Sequence, residues 1–214
     1  MIEETLNVLG QLFSFSSSFS PLKIRVVATE ALRRLSNAHI LIERVKERFD
    51  VTIEILSGKE EAFYVAKGLM TDLNLLSIGE FCAIDLGGGS MEIVRVENGN
   101  CREMLSLPLG AVVLSEKFLG DLNKKPEVGN IKDLQSHISS TLSTLCPPSM
   151  KKCSRLVGTG GSIIFLRQLL SSSNKVNLND YSFLIRTEIK KITEEINSLD
   201  LVQRISKFKD LPSD

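Results

Sequence analysis

The chain has 214 residues with 26 basic and 26 acidic side chains, so its formal net charge is zero; no long-range field recruits nucleic acid or an anionic membrane, and any anion site must be built locally. A hydrophobic content of 43% and a charged content of 24% exclude a disordered or fibrous chain, and the length allows one domain or two small lobes. The acidic start, Met1-Ile2-Glu3-Glu4, and the lack of any apolar stretch near the roughly 18 residues of a bilayer span read as a cytoplasmic protein with no membrane partner.

Apolar residues Ile2, Leu6, Leu9 and Phe13 recur at helical spacing, and Ser14 to Ser20 reads as a loop closed by Pro21. Ile24 to Ala28 is a short β-rich run, and Thr29 is placed to cap a helix through Arg34. A second helix over about 38–48 leads into a strand, Val51 to Leu56, after which Ser57 caps a third helix to about Met70. Strand, helix, helix, strand, helix in this order predicts parallel strands joined by crossover helices.

The texture changes near Gly79. Phe81 to Ile84, Met91 to Val96 and Cys101 to Leu107 read as strands, with Asn98-Gly99-Asn100 as a hairpin turn, which predicts a three-stranded antiparallel meander. Helices follow over about 111–118 and 131–145, the second ended by Pro147-Pro148. Arg155 to Val157 is a short strand before an apolar helix through Leu170, Ser171-Ser172-Ser173-Asn174 reads as a flexible loop, and Ile189, Ile192, Ile196 and Leu199 mark one face of a last helix. The expected organisation is two lobes, 1–78 and 79–214. Cys82, Cys101, Cys146 and Cys153 form no C-x-x-C pair and have no histidine at zinc-ligand spacing, so buried free thiols are expected.

The chemistry gathers at a few glycine turns and acids. In Asp85-Leu86-Gly87-Gly88-Gly89-Ser90, three successive glycines let main-chain N–H groups approach an anion and form a nest for it. Asp85 at the end of an apolar strand needs a compensating partner, and with Glu92 it forms a carboxylate pair suited to magnesium, which takes one or two carboxylates plus substrate oxygens. A tight hairpin without ligand is the plainer alternative, and Glu92 alone could be merely solvated. Gly158-Thr159-Gly160-Gly161-Ser162 also joins a strand to a helix, where free N–H groups and the helix dipole favour negative charge; it is neither a Walker P-loop nor a dinucleotide fingerprint, and taken alone a simple strand-to-helix turn is an equal reading. Taken alone, Glu60 and Glu61 are a dipole-stabilising pair facing solvent and Arg33 an exposed helix arginine.

Five motifs in order change that reading: Ala-Thr-Glu-Ala-Leu-Arg (28–33), Ile-Leu-Ser-Gly-Lys-Glu-Glu-Ala (55–62), Asp-Leu-Gly-Gly-Gly-Ser-Met-Glu (85–92), Ser-Leu-Pro-Leu-Gly-Ala (106–111) and Val-Gly-Thr-Gly-Gly-Ser (157–162). As a set, over about residues 24–212, they closely resemble the exopolyphosphatase and guanosine pentaphosphate phosphatase family. The resemblance implies an α/β, two-lobed ribonuclease H-like fold of the actin and sugar-kinase superfamily. It also implies removal of terminal phosphate from inorganic polyphosphate, or of the 5′-phosphate from guanosine pentaphosphate, usually with magnesium. By motif position Glu61 matches the proposed general base and Arg33 a phosphate-contacting arginine. Asp85 and Glu92 match acids at the metal and phosphate site, and Gly87, Gly88, Gly89 and Ser90 match a phosphate loop. Within this set the anion-favouring turn of Gly158, Thr159, Gly160, Gly161 and Ser162 is expected to bind phosphate as well.

The family's opening Asp-x-Gly-Ser-Asn-Ser hairpin has no counterpart in residues 1–23, and its second lobe continues beyond a Leu-Pro segment where this chain has Leu211-Pro212-Ser213-Asp214. The expectation is a chain cut at both ends, with an incomplete first lobe whose bare sheet edge favours self-association. Three functions are compatible: the phosphohydrolase, a non-catalytic polyphosphate or nucleotide sensor, and an ATP-dependent kinase of the sugar-kinase type. The kinase is disfavoured by the Glu60-Glu61 pair and by the lack of a recognisable sugar-binding segment.

Overall fold

The computed structural model describes residues 2–179 and 183–208. The chain divides into two compact units, Met1–Glu61 and Ala62–Asp214.

The first unit contains α1 (Ile2–Ser17), β1 (Val26–Ala28), α2 (Glu30–Arg34), α3 (Ala38–Phe49), β2 (Ile53–Ile55) and the start of α4 (Gly58–Leu69). β1 and β2 pair in parallel, with Val26 opposite Ile53 and Ala28 opposite Ile55, which is the expected crossover unit. One face of this pair is closed by Leu6 of α1 and Val45 of α3, both fully buried, with Ile53. Its other face carries Val27, 47% exposed, and its partner Glu54. Two local expectations change. α1 runs through Ser17 instead of ending before Ser14, because the Ser14 and Ser17 hydroxyls donate back to the Gly10 and Phe13 carbonyls at 3.0 and 2.8 Å and so need no partners outside the helix. Thr29 stands at the N-cap of α2 but its side chain makes no capping hydrogen bond.

The second unit continues with α5 (Leu73–Ser77), β3 (Glu80–Leu86), β4 (Met91–Glu97), β5 (Asn100–Leu107), α6 (Ala111–Phe118), α7 (Val128–Leu145), α8 (Pro148–Lys151), β6 (Leu156–Thr159), α9 (Gly161–Asn174), α10 (Arg186–Asn197) and α11 (Leu201–Lys207). β3, β4 and β5 form the expected antiparallel meander, and β6 adds in parallel beside β3, giving the order β5-β4-β3-β6. Strand alternation sends β3 side chains to opposite faces. Cys82, Ile93 and Leu107 lie in a core with Leu114 of α6, Met150 of α8 and α7 residues Leu134, Ile138 and Leu142. Phe81, Ala83, Val94 and Val96 lie in the other, against Ala62 and Ala66 of α4. All four of those strand side chains and both alanines are fully buried.

That packing explains where the units part. The change to antiparallel texture does come near residue 78, but Ala62 and Ala66 already belong to the second sheet's core, so the division falls within α4. The serines at 171–173 are not a loop. They are the last turn of α9, carried on by Leu169 and Leu170, which pack against Ile192 of α10. Ser171 is buried and donates to the Val176 carbonyl at 2.7 Å, and the helix ends at Lys175 in the left-handed region. α5, α8 and α11 are short helices not anticipated from periodicity, too brief to show one. Among the described residues no helix is long and apolar enough to cross a membrane.

Candidate functional site

In the second unit the pairing registers put four polar side chains in a row. Asp85 on β3 stands opposite Glu92 on β4 and Thr159 on β6, and Glu92 stands opposite Ser106 on β5. Directly paired residues project from the same face, here the face that bears Ala83, Val94 and Val157. The row sits one step along the strands beyond Ala83, Val94 and Val157. Glu92 is 4% exposed and accepts a hydrogen bond from the Ser106 hydroxyl at 2.8 Å, the compensation a buried carboxylate requires. Asp85 is half-buried.

The two glycine turns meet at the end of this row. β3 and β6 are parallel neighbours, so the turns that follow them, 87–90 and 160–162, leave the sheet at the same edge. Gly160 has φ +86 and ψ 163, a conformation essentially confined to glycine. A Cβ at this position would stand 2.1 Å from Oδ1 of Asp85, so the bare Cα of one turn is the seat for the acid of the other. Gly161 and Ser162 open α9, where first-turn amides have no carbonyl four residues back to bond. In the 87–90 turn the Gly87 N–H donates to the Ser90 carbonyl at 3.1 Å, and Ser90 is buried.

The two carboxylates, Asp85 and Glu92, are hard oxygen donors on one face. A pair of this kind fits magnesium, which takes one or two carboxylates and keeps water and substrate oxygens as its other ligands. No group of three or more His, Cys, Asp or Glu placed to hold a metal by themselves occurs among the described residues.

In the first unit, Ser57, Glu60 and Glu61 divide their work at the start of α4. Ser57 accepts from the Glu60 N–H at 3.2 Å, while the Ser57 N–H and hydroxyl donate to the Glu60 carboxylate at 2.8 and 2.7 Å. This reciprocal cap holds the Glu60 carboxyl below its ordinary range and occupies it. Glu61, one residue on, is turned inward, with its side chain 12% exposed, and its Oε2 lies 2.7 Å from Nη1 of Arg33. The Arg33 N–H on that nitrogen is directed to the Leu56 carbonyl at the end of β2. The contact with Glu61 is an ion pair by distance, and Oε2 of Glu61 is buried with no hydrogen-bond partner among the described residues. Arg33 is thus not an exposed helix arginine: it ties α2 to β2 and α4.

The sequence matches the model of the Ppx/GppA phosphatase family over residues 1–211. The chain belongs to this family. Among curated relatives, a guanosine-5'-triphosphate,3'-diphosphate pyrophosphatase from Vibrio parahaemolyticus is 25% identical over 181 residues, 83% of this chain and 35% of the relative. The chain thus spans about a third of the length of that protein. Among solved structures, the Ppx/GppA family member from Aquifex aeolicus is 29% identical with a TM-score of 0.77, covering 99% of this chain and 67% of that one. An exopolyphosphatase from Cytophaga hutchinsonii, at 16% identity, shares the fold with a TM-score of 0.80 over 96% of this chain and 66% of its own. The Ppx/GppA chain accordingly has the mixed α/β fold of these structures.

Each anticipated site residue has a definite place. Asp85, Glu92 and Thr159 share one row, Gly160 touches Asp85, and Arg33 pairs with Glu61. Sequence reasoning gave no role to Ser106, although it opens the Ser-Leu-Pro-Leu-Gly-Ala motif (106–111). It also gave Glu60 no capping role, although the Ser-x-x-Glu spacing of a capping box was present at 57–60.

Proposed function

We propose that this Ppx/GppA chain carries the machinery of a phosphohydrolase that removes terminal phosphate from inorganic polyphosphate or the 5′-phosphate from guanosine pentaphosphate. The observation that carries the reading is Oε2 of Glu61, a buried acceptor with an arginine beside it and no donor of its own. Such an atom is suited to receive a hydrogen bond from water. As the water oxygen bonds to the terminal phosphorus and the bridging P–O bond breaks, Glu61 takes the water's proton and the leaving phosphate takes the bond's electron pair. Arg33 orients Glu61 and presents its remaining N–H groups to phosphoryl oxygens. The amides of Gly87 to Ser90 and of Gly158 to Ser162 offset charge on the substrate's oxygens. Asp85 and Glu92 are the residues to hold magnesium, which when bound would neutralise that same charge. The Vibrio relative's name supports a guanosine substrate, and polyphosphate shares its terminal phosphoanhydride.

The test is phosphate release from tripolyphosphate and guanosine pentaphosphate by the full-length protein with magnesium, comparing Glu61→Gln with Glu60→Gln. Loss of the base lowers the rate by about 10²–10⁴-fold. Glutamine at 60 still serves a capping box, so that variant keeps the parent rate. No release from either compound by the parent, or equal rates for parent and Glu61→Gln, refutes the proposal. Calorimetric binding without release would instead support a sensor.

A further inference from the structure

α6 begins against the 87–90 turn, and its amides are used in an unusual way. The first three N–H groups of a helix lack intrahelical acceptors. Here those of Ala111, Val112 and Val113 donate to the turn, Ala111 to the Gly87 carbonyl at 2.9 Å, Val112 and Val113 to the Gly88 carbonyl at 2.9 and 3.2 Å. The approach is close enough to demand Gly110. A Cβ there would lie 2.2 Å from the Gly89 carbonyl carbon and 2.3 Å from the Gly88 oxygen. Its φ of −69 and ψ of 147 are open to any residue, so space and not conformation requires the glycine.

The consequence follows from peptide geometry. The described peptide bonds are all trans, and in a trans peptide the N–H points opposite to the C=O of the same unit. The carbonyls of Gly87 and Gly88 are held toward α6, so the N–H groups of Gly88 and Gly89 are aimed away from it. Two successive amides aimed the same way are the elements of an anion nest.

We propose that the start of α6 is the buttress that aims the phosphate turn, and that Gly110 is a positioning residue for phosphoanhydride binding, acting through Gly88 and Gly89 without touching substrate. This rests on the phosphohydrolase reading. It assigns the Leu-Pro-Leu-Gly-Ala segment (107–111) a role in setting the direction of main-chain donors.

Two variants of the full-length protein test it, Gly110→Ala and Ala111→Pro. The proline acts on the contact itself: it is accommodated at the first position of a helix and the extended backbone of Gly110 suits a residue before proline, but its ring carbon takes the place of the hydrogen that bonds Gly87, so the Gly87 carbonyl must turn away from α6. Calorimetric titration with tripolyphosphate in magnesium is expected to show each variant weakened about tenfold or more. A matching rise in KM is expected, with Ala111→Pro still unfolding in a single cooperative transition. Ser115→Ala is the control. Its hydroxyl bonds only the Ala111 carbonyl, at 2.8 Å, so it alters α6 without reaching the turn and is expected to keep parent affinity. Parent-like affinity in folded Ala111→Pro overturns the inference, as does equal weakening in Ser115→Ala. If Gly110→Ala does not fold, Ala111→Pro decides alone. A parent that neither binds nor hydrolyses tripolyphosphate or guanosine pentaphosphate overturns the functional reading as well, which separates the two failures.

Discussion

Gly160 and Gly161 are adjacent in one glycine turn, yet replacing each by alanine should have opposite consequences. At Gly160 the backbone has φ +86 and ψ 163, and holding a non-glycine residue in such a region costs about 1–3 kcal/mol. The new Cβ would in addition stand 2.1 Å from Oδ1 of Asp85 and 3.2 Å from the Leu86 N and O atoms. The carboxylate can swing, but only out of the row it shares with Glu92 and Thr159. At Gly161 nothing lies within 4 Å of the point a Cβ would occupy and no positive φ is needed; at the first position of α9 alanine costs nothing and gains at most about 0.5–1 kcal/mol, the value of a mid-helix site. In thermal unfolding of a chain this size, about 2–4 °C per kcal/mol, Gly160→Ala lowers the midpoint by about 2–12 °C while Gly161→Ala leaves it level or raises it slightly. Adding Asp85→Ala to Gly160→Ala relieves the steric part but not the backbone part, so the double mutant recovers only a fraction of the loss. Equal midpoints for the two single variants would refute the reasoning, because both the torsion and the contact would then be absent.

Ser106→Ala leaves Glu92 buried without the hydroxyl that bonds its Oε1; the expected loss is about 1–3 kcal/mol in urea unfolding, and a change within error would mean that another donor replaces it. Ser57→Ala removes the cap of α4 and should lower the unfolding midpoint by about 2–4 °C at neutral pH. Because Ser57 holds the Glu60 carboxyl below its ordinary value of 4.5, the cap's contribution is present above that value and lost as pH falls through the lower, folded one. The gap between parent and variant should therefore close in acid, and a gap constant down to about pH 2 would contradict the assignment. Burial, with the adjoining Cys153 thiol and its charge, pushes the Cys82 thiol up to about 12. In native protein at about pH 8, where an ordinary thiol is partly ionised, it should resist iodoacetamide until urea unfolds the chain. Peptide mapping that finds it modified as fast as a free thiol in native buffer would count against this burial.

The amino-acid sequence by itself determined the elements and the inventory of the site. The apolar run at 81–84, the strand-like runs at 91–96 and 101–107 and the Asn98-Gly99 turn specify a meander, because each signal is local and each strand's pairing partner is its neighbour in the chain. The glycine turns and acids were legible for the same reason. Each of these residues has a backbone or charge requirement that its own segment reveals. Helix ends at the serines were misread, since Ser14, Ser17 and Ser171 satisfy their hydroxyls on nearby carbonyls, which composition does not display. What only the tertiary structure decided is who stands beside whom. That β6 enters next to β3, that Gly160 seats Asp85, that Ser106 answers Glu92 and that α6 turns its amides onto Gly87 and Gly88 all depend on contacts between segments distant in sequence. Such contacts are selected by packing and by hydrogen-bond satisfaction in the folded state, and no single segment encodes them.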